Sequence, residues 1–439
     1  MAAEDERPTD RPERKLTVAE ILRRGAAAFV KSYPSQAAPQ VQSTLAKLSL
    51  CRTKALGGRR YRCHTCEQEC VLYNSCGDRH CPTCGGAKRA DWFDSSRALL
   101  LDGVPYYQVV FTLPSELSRL ALGNRRAIYT LLFQSAWRAL RSVIESEQGY
   151  DSAALMVLHT WNQKLDAHAH VHAVVPGGGP ATDGSGWRFS QRAGDARSMG
   201  HYLVDADLLR AAYRQRFLRG LTRLRRQGEL KLQGEFAHLQ NDDQWKRWIN
   251  DLQSTNWVSY IEPPPAGDCH VEQVVKYLAR YLTGGPISDA RIVSADDHQV
   301  TFLARAGTTP GGDAEQIEIT LPTVEFVRRW CLHVLPRGYT KTRRYGGWSG
   351  RRRHAYLELC SKQLEAAGAP LPPEAADFNP FIEPAEGDQS KASEEDDRHE
   401  CCPQCGGPMI LQESQDKPSW RDIMSSSSRP AWYRLLIGK

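Results

Sequence analysis

The segment Asp166-Ala-His-Ala-His-Val-His-Ala-Val-Val175 carries a histidine at every second position: His168, His170 and His172. Side chains along a β-strand alternate between two faces, so the three imidazoles would share one face, with Ala and Val between them on the other. Histidines on a strand can also form a polar surface. Three of them beside an apolar run favour a site for a divalent metal ion, because neutral imidazole is a metal ligand.

Strands and helices surround this segment in the sequence. Residues 153–161 have the pattern of a second strand that would form a hairpin with 168–175, ended by Gly177-Gly178-Gly179. Apolar periodicity predicts further helices at 17–31, 37–50, 125–147, 205–227, 271–282 and 324–335. It also predicts further strands at 106–112, 255–262 and 316–321 and a hairpin at 290–305. Helices with mostly antiparallel strands indicate an α+β fold, an antiparallel-sheet domain flanked by helices.

The composition allows a sizeable core, with 41% hydrophobic and 25% charged residues in 439. The formal net charge of +6 understates the basic character of most of the chain, because acidic residues are concentrated at 383–400. The N-terminus has no apolar signal region, and no run of about 18 apolar residues could cross a bilayer. We therefore expect a cytoplasmic protein with no membrane partner.

Cysteines are concentrated in two places, seven within 51–84 and three within 401–405. In an intracellular chain such clustering indicates metal binding. The units Cys63-His-Thr-Cys66 and Cys81-Pro-Thr-Cys84 predict one zinc site with four thiolate ligands, which is structural because no coordination position stays open. Five further residues are candidate ligands of a second site: Cys51, Cys76 and His80, together with His64 and Cys70. Cys402-Pro-Gln-Cys405 supplies two ligands and cannot close a site alone.

A pair of tyrosines lies in the helix predicted at 271–282. In Tyr277-Leu-Ala-Arg-Tyr281 the four-residue separation places both phenols on one helix face, about 5–6 Å apart at Cβ. An aromatic pair at this spacing usually packs in a core. By itself the pair therefore does not indicate catalysis.

The segment 328–354 is strongly basic and also contains aromatic residues. Cations can bind a phosphate backbone and rings can stack on bases, whereas the alternative is a solvated basic surface. Glu325 is the one acidic residue between 324 and 354, which favours DNA binding. The candidate DNA-binding residues are Arg328, Arg329, Arg337, Lys341, Arg343, Arg344, Trp348, Arg351, Arg352 and Arg353.

The order of these motifs resembles the rolling-circle transposases of the insertion-sequence ninety-one family, in the HUH endonuclease superfamily. The resemblance extends from about Leu22 to Gly407. The strings that carry it are Cys51-Arg-Thr, Asn74-Ser-Cys-Gly-Asp-Arg-His-Cys-Pro-Thr-Cys84, Phe111-Thr-Leu-Pro114, Leu158-His-Thr-Trp161, His168-Ala-His-Val-His-Ala-Val-Val-Pro-Gly-Gly178, Tyr277-Leu-Ala-Arg-Tyr281 and His333-Val-Leu-Pro-Arg-Gly338. The sequence departs from the family pattern at Arg59, where histidine is expected, and at Ala169, where proline is common.

The resemblance implies which residues perform the chemistry. His170 and His172 would bind Mg²⁺ or Mn²⁺, and Tyr277 and Tyr281 would attack single-stranded DNA to give a 5′-phosphotyrosine and a free 3′-OH. The third metal ligand is open among His159, Gln163 and His168. Rejoining needs no nucleotide, because one phosphodiester replaces another, and no phosphate-binding GxxxxGKS or GxxxxGKT motif is present.

Several functions share these features. The implied one is a transposase that moves an insertion sequence, acting on single-stranded DNA at the element's ends and its target at the bacterial nucleoid, with host replication proteins as an open class of partner. A replication initiator would use the same nicking chemistry. A zinc-dependent DNA-binding protein without catalysis would use the histidines for a structural metal and the tyrosines for packing. A zinc hydrolase is disfavoured because no HExxH motif is present.

The expected organisation has four parts. Residues 1–15 form a disordered N-terminus, 16–102 a helical zinc-binding and DNA-binding domain, and 103–360 the nuclease domain with its basic C-terminal segment. Residues 361–439 are expected to be an acidic linker, a partial CxxC and a tail. Thr17 with Glu20 predicts a capping box at the start of the first helix.

Overall fold

The computed structural model describes residues 17–195, 201–264, 285–306, 315–368 and 401–436, without the side chains of 86–91 and 434–436. The helix predicted at 271–282, with Tyr277 and Tyr281, lies outside these ranges. Within the described ranges, no helix has both the length and the apolar character needed to span a bilayer.

The elements follow the chain in a mixed order. The helices are α1 (Val18–Ser32), α2 (Pro39–Leu50), α3 (Gly86–Arg97), α4 (Ser115–Gly123), α5 (Arg125–Glu147), α6 (Ala206–Arg226), α7 (Asp242–Ser254), α8 (Thr323–Cys331), α9 (Arg353–Ala366) and α10 (Trp420–Ser425). The strands are β1 (Gly58–Cys63), β2 (Glu69–Tyr73), β3 (Tyr106–Thr112), β4 (Ala153–Trp161), β5 (Ala167–Pro176), β6 (Gly178–Pro180), β7 (Trp187–Phe189), β8 (Val258–Glu262), β9 (Ile292–Ala295), β10 (Gln299–Arg305), β11 (Gln316–Pro322), β12 (Thr342–Gly346) and β13 (Met409–Gln415).

The largest sheet has five antiparallel strands in the order β12-β4-β5-β3-β8. The predicted α+β fold with an antiparallel sheet is confirmed. On one face Ala154, Met156 and Leu158 pack against α5 and α6 in the main core. The alternate residues of β4 and β5, including the histidines, therefore lie on the opposite face.

The opposite face of the sheet carries a smaller apolar cluster. Leu155, Val157 and Val174 pack there against Trp348 and against residues of α9. The histidines lie further along the same face, toward the β4–β5 turn at residues 162–166. The histidines therefore lie outside the apolar cluster of this face.

A second core joins the N-terminal helices to elements far along the chain. Residues of α1 and α2 pack with α8 and the β10–β11 hairpin. The predicted capping box is confirmed, with the Glu20 amide donating to the Thr17 hydroxyl at 3.2 Å and the Thr17 amide to the Glu20 carboxylate at 2.8 Å. Gly25 allows α1 to approach α8, because a Cβ there would lie 2.6 Å from Cγ2 of Val327.

The stretch after Cys405 is not the tail expected from its sequence. Residues of β13 pair antiparallel with β1, which pairs on its other side with β2, giving a three-stranded sheet made from both ends of the chain. The polar sequence Met-Ile-Leu-Gln-Glu-Ser-Gln of β13 has no alternating apolar pattern. Its strand conformation depends on a partner that is distant in sequence, and local pattern cannot reveal such a partner.

Candidate metal centre and cysteine clusters

Three histidines from neighbouring strands form the candidate metal centre. His159 of β4 pairs in register with His170 of β5, and His172 is the next residue of β5 on the same face. The ligand nitrogens of the three lie within 4.8 Å of one another. Ring centroids are 5.3 Å apart for His159 and His170, and 4.7 Å apart for His159 and His172.

The other two candidates for the third ligand lie at different positions. His168 is half-buried, and its ring centroid lies 5.1 Å from that of His170, but its ligand nitrogens are outside the group of three. Gln163 is exposed in the β4–β5 turn, where its backbone carbonyl accepts a hydrogen bond from Arg291. The geometry therefore favours His159 among the three residues that the sequence left open.

Hydrogen bonds at Nδ1 orient two of the imidazoles. Nδ1 of His170 lies 2.9 Å from the carbonyl oxygen of His168, which can only accept, so Nδ1 carries the proton and Nε2 keeps its lone pair. Nδ1 of His172 lies 3.1 Å from the side-chain amide of Gln108 on β3. Sequence reasoning missed Gln108, although a glutamine within the apolar strand 106–111 is a signal that could have found it.

Burial keeps these imidazoles neutral. It lowers the pKa of His170 well below the ordinary value of 6.5, and neighbouring histidines and Lys341 add to the effect. Burial, with a smaller contribution from Lys341, also lowers the pKa of His172 to about 4. At neutral pH both rings are therefore neutral, which is the form of imidazole that binds metal ions.

Lys341 lies beside this centre, immediately before β12. Its carbonyl accepts a hydrogen bond from the Leu158 amide at 3.0 Å, and its Nζ lies 5.1 Å from the centroid of the Trp161 ring. Burial and the positive charge of Arg79 lower the pKa of Lys341 to about 8. A positive charge next to three neutral imidazoles creates an environment suited to a phosphate group.

The cysteines form two groups of four, not the one group predicted from the CxxC spacing. In each group the four ligand sulfurs lie within 4.8 Å of one another. The first group consists of Cys51, Cys76, Cys81 and Cys84, and the second of Cys63, Cys66, Cys402 and Cys405. The predicted combination of Cys63 and Cys66 with Cys81 and Cys84 is wrong. The β1–β2 hairpin separates the two CxxC units. Cys63 and Cys66 lie at the turn of the hairpin, whereas Cys76 follows the opposite end of β2. A strand of five residues is about 17 Å long.

The first cysteine group has the hydrogen bonds of a structural thiolate site. The Cys76 amide donates to the sulfur of Cys51 and the Asp78 amide to the sulfur of Cys76, both at 3.4 Å. Hydrogen bonds from the Cys76 and Cys81 thiols lower the pKa of Cys51 to about 4. A thiolate at neutral pH is the form that binds zinc.

His80, which the sequence suggested as a zinc ligand, does not belong to this group. Its Nδ1 lies 2.9 Å from a carboxylate oxygen of Asp78, and its Nε2 accepts from the Leu335 amide at 3.1 Å. The adjacent Arg79 donates to the carbonyls of Pro336, at 2.9 Å, and of Tyr339. The cysteine loop thus holds the backbone segment that leads to Lys341 and the metal centre.

Some of the predicted DNA-binding residues are already engaged within the protein. Arg328 and Arg329 both form ion pairs with Glu325, and Arg329 also pairs with Asp166. Trp348 is 2% exposed and packs against Tyr106, so the expectation that its ring stacks on a base is wrong. In sequence this tryptophan cannot be distinguished from an exposed aromatic between basic residues.

The other members of the basic segment lie at or near the surface. Arg343 covers the rings of Phe133 and Tyr339, while Arg344 donates to the Ser95 carbonyl at 3.1 Å. Arg352 forms an ion pair with Asp151. Exposed or half-buried cations complete the set: Arg337, Arg351 and Arg353.

Comparisons with known proteins agree with this architecture. Residues 153–355, which include the histidine strands and the basic segment, match the family model described as "Putative transposase". Residues 21–113 match a model described as "Transposase zinc-binding domain", the one named for the IS91 elements. The first matched region contains the histidine centre, and the second contains the first cysteine group.

Two curated relatives match most of the chain. "Putative transposase y4qJ" from Sinorhizobium fredii is 35% identical over 359 residues, covering 81% of this chain and 86% of the relative. "Transposase for insertion sequence element IS801" from Pseudomonas savastanoi pv. phaseolicola is 26% identical over 327 residues, covering 74% of each. The class of protein is therefore a transposase, a DNA-binding and DNA-cleaving enzyme with a zinc-binding domain. The chain belongs to the IS91 family of transposases.

Proposed function

We propose that this transposase nicks and rejoins single-stranded DNA through a covalent 5′-phosphotyrosine intermediate, during rolling-circle movement of its element. The observation that carries the proposal is the three-imidazole group of His159, His170 and His172 on one face of the sheet. Tyr277 and Tyr281 are the proposed nucleophiles. The fold and the family support a DNA-cleaving site, and the tyrosine chemistry is our inference from the motif.

The donor set suits a divalent ion that accepts nitrogen ligands. Three neutral imidazoles would leave coordination positions for phosphate oxygens, and nitrogen donors favour Mn²⁺ over Mg²⁺, which prefers oxygen. When bound, such an ion polarises the scissile phosphate and stabilises the charge that develops on it. His159, His170 and His172 would hold it, with His168 and Gln108 fixing ring orientation.

The protein's own groups account for the remaining steps. The phenol oxygen of one tyrosine attacks the phosphorus and loses its proton, the P–O3′ bond breaks, and the leaving 3′ oxygen takes up a proton. Lys341, next to the centre, would bind a non-bridging phosphate oxygen. Attack of a 3′-OH on the phosphotyrosine reverses the step and releases the tyrosine, so the bond energy is conserved. A second tyrosine allows a second strand to be held at the same time.

The position of the tyrosines in the chain is compatible with this site. The described chain leaves the sheet at Pro264, just after β8, two strands from β5. About seven extended residues after Pro264, followed by about two turns of the helix predicted at 271–282, can span about 30 Å to Tyr277, so the chain length does not prevent contact with the histidines. Both tyrosines precede β9, within the stretch covered by the transposase match.

The substrate and its location follow from the proposed activity. We infer that the cations of 337–353 bind the backbone of single-stranded DNA at the element's ends and target, at the bacterial nucleoid in the cytoplasm, where host replication proteins would supply the complementary strand. A replication initiator with the same chemistry and a non-catalytic zinc-dependent binder are the alternatives. The relatives named as transposases favour the transposase.

Cleavage of labelled oligonucleotides tests the proposed function. The full chain is incubated with single-stranded DNA from the element's ends, or with the matching duplex, together with Mn²⁺, Mg²⁺ or a chelator. We expect nicking of the single strand, at a lower concentration of Mn²⁺ than of Mg²⁺, and none with the chelator. Nicking that is unaffected by the chelator would exclude the metal centre, and binding without nicking under every metal would support the non-catalytic alternative.

Gln108→Leu should weaken metal binding without unfolding the protein. The side-chain amide of Gln108 hydrogen-bonds Nδ1 of His172 and so orients the ring, and losing such an orienting partner lowers metal affinity by about 10–100-fold. The Mn²⁺ concentration for half-maximal nicking should rise accordingly, and it should return toward the wild-type value in Gln108→Glu, which keeps a polar group beside Nδ1 of His172. Gln42→Leu, at another buried glutamine, is the matched control and should leave the Mn²⁺ dependence unchanged. An unchanged Mn²⁺ dependence in Gln108→Leu would refute this role.

A further inference from the structure

The second cysteine group joins the two ends of the described chain. The sulfurs of Cys63 and Cys405 lie 3.5 Å apart, as do those of Cys66 and Cys402. Sulfurs around a tetrahedral zinc ion lie about 3.8 Å apart, for a Zn–S bond of about 2.3 Å. A disulfide would need about 2.05 Å. The spacing therefore fits four ligands around one ion better than two cystines.

The two CxxC turns have the same backbone geometry. The Glu67 amide donates to the Cys63 carbonyl at 3.1 Å, and the Gly406 amide donates to the Cys402 carbonyl at 2.8 Å. The residue after each second cysteine has a positive φ, 60° at Glu67 and 71° at Gly406. In the first turn the Thr65 amide also donates to the Cys63 sulfur at 3.3 Å. Two equivalent turns that face one another thus present two thiols each.

We propose that Cys63, Cys66, Cys402 and Cys405 bind a second structural zinc ion, which links the C-terminal segment to the N-terminal module. The zinc-binding domain match covers residues 21–113 and so contains only two of these ligands. Two of its ligands, Cys66 and Cys402, are 336 residues apart in the sequence. It is distinct from the group of Cys51, Cys76, Cys81 and Cys84.

The packing around this site explains why a metal is needed there. The apolar cluster has only three buried residues, Cys63, Cys402 and Met409, and β13 exposes almost half of its Ile410 and Leu411 side chains. Such a small core contributes little to ordering this end of the segment, and a structural metal is the usual substitute for apolar burial. Zinc binding supplies this free energy when the ligands assemble.

The segment held by this zinc reaches the first cysteine group. Beyond β13, Lys417 donates to the Cys76 carbonyl at 2.8 Å, and Ile423 is buried in the core formed by α1 and α2. The proposed ion would therefore fix residues 401–425 along the whole module. Its loss should loosen the C-terminal segment and leave the first zinc bound.

Zinc content measures the number of sites. Purified full-length protein should contain two zinc ions per chain by elemental mass spectrometry, and Cys402→Ser with Cys405→Ser should contain one. Cys401→Ser, a neighbouring exposed cysteine outside the group, is the matched control and should retain two. A wild type with one zinc, or a double variant that retains two, would overturn the proposal.

Alkylation of the wild type gives a test that does not depend on how the variant folds. Cys401 and Cys405 are both exposed, so an unliganded Cys405 is accessible to iodoacetamide. With zinc bound, Cys405 should resist alkylation until a chelator is added, while Cys401 reacts throughout. A rate of Cys405 labelling that the chelator does not change, or a disulfide between Cys63 and Cys405 in a non-reducing peptide map, would contradict a zinc site.

Discussion

His159→Ala is expected to reduce nicking of single-stranded DNA by at least about a hundredfold at saturating Mn²⁺. A metal ion contributes several kcal/mol to phosphoryl transfer, and each 1.4 kcal/mol or so is a factor of ten in rate. His159 brings the third imidazole of the centre from β4, so its removal leaves two ligands from β5. His170→Ala should have an effect of the same size. The rate of cleavage of a 5′-labelled oligonucleotide is the measurement.

Two matched variants decide which residue completes the centre. His168→Ala and Gln163→Ala remove the other candidates, and we expect less than about a tenfold loss from each, because neither lies in the three-imidazole group. If Gln163→Ala lowered the nicking rate as much as His159→Ala does, Gln163 would have to be considered as a metal ligand. Thermal unfolding of each variant separates a lost ligand from a lost fold.

The double substitution Tyr277→Phe with Tyr281→Phe is expected to abolish nicking, with a loss of at least about a thousandfold. Phenylalanine retains the ring and its packing but has no oxygen to attack phosphorus, and loss of a nucleophile usually has an effect of this size or more. DNA binding should be unchanged, since the basic segment is intact. Gel-shift and cleavage assays on the same oligonucleotide give the two readouts.

The single variants separate the roles of the two tyrosines. The variant that still nicks but cannot complete strand transfer identifies the tyrosine that acts second, whereas the one that cannot nick identifies the first. Tyr260→Phe, on β8 of the same sheet, is the control and should nick as the wild type does. Full nicking by the double variant would remove both tyrosines from the mechanism.

The parts of the fold that can be predicted from sequence are those in which apolar residues recur at a regular local spacing. The histidine strand was expected at 168–175 and is Ala167–Pro176, and the helix expected at 125–147 is Arg125–Glu147. Each has a regular apolar pattern that its tertiary surroundings reinforce. The helix with Tyr277 and Tyr281 lies outside the described residues and stays a prediction.

The errors arose where long-range geometry decides the outcome. The spacing of CxxC units does not reveal that the hairpin turn at Cys63 faces Cys402 rather than Cys81. Likewise, the basic segment reads as a uniform surface, although Glu325 neutralises part of it and Trp348 is in a core. In both cases the deciding partner is set by the folded chain and has no local signature.

The most direct test of the tyrosine mechanism is identification of the protein–DNA bond itself. The full chain is reacted in Mn²⁺ with single-stranded DNA whose two fragments cannot be rejoined after cleavage. The protein is then digested, and mass spectrometry is used to search for a peptide linked to a nucleotide. The account predicts a 5′-phosphotyrosine on Tyr277 or Tyr281, which disappears in His159→Ala. A nicked product with no covalent peptide, or a link to any other residue, would contradict it.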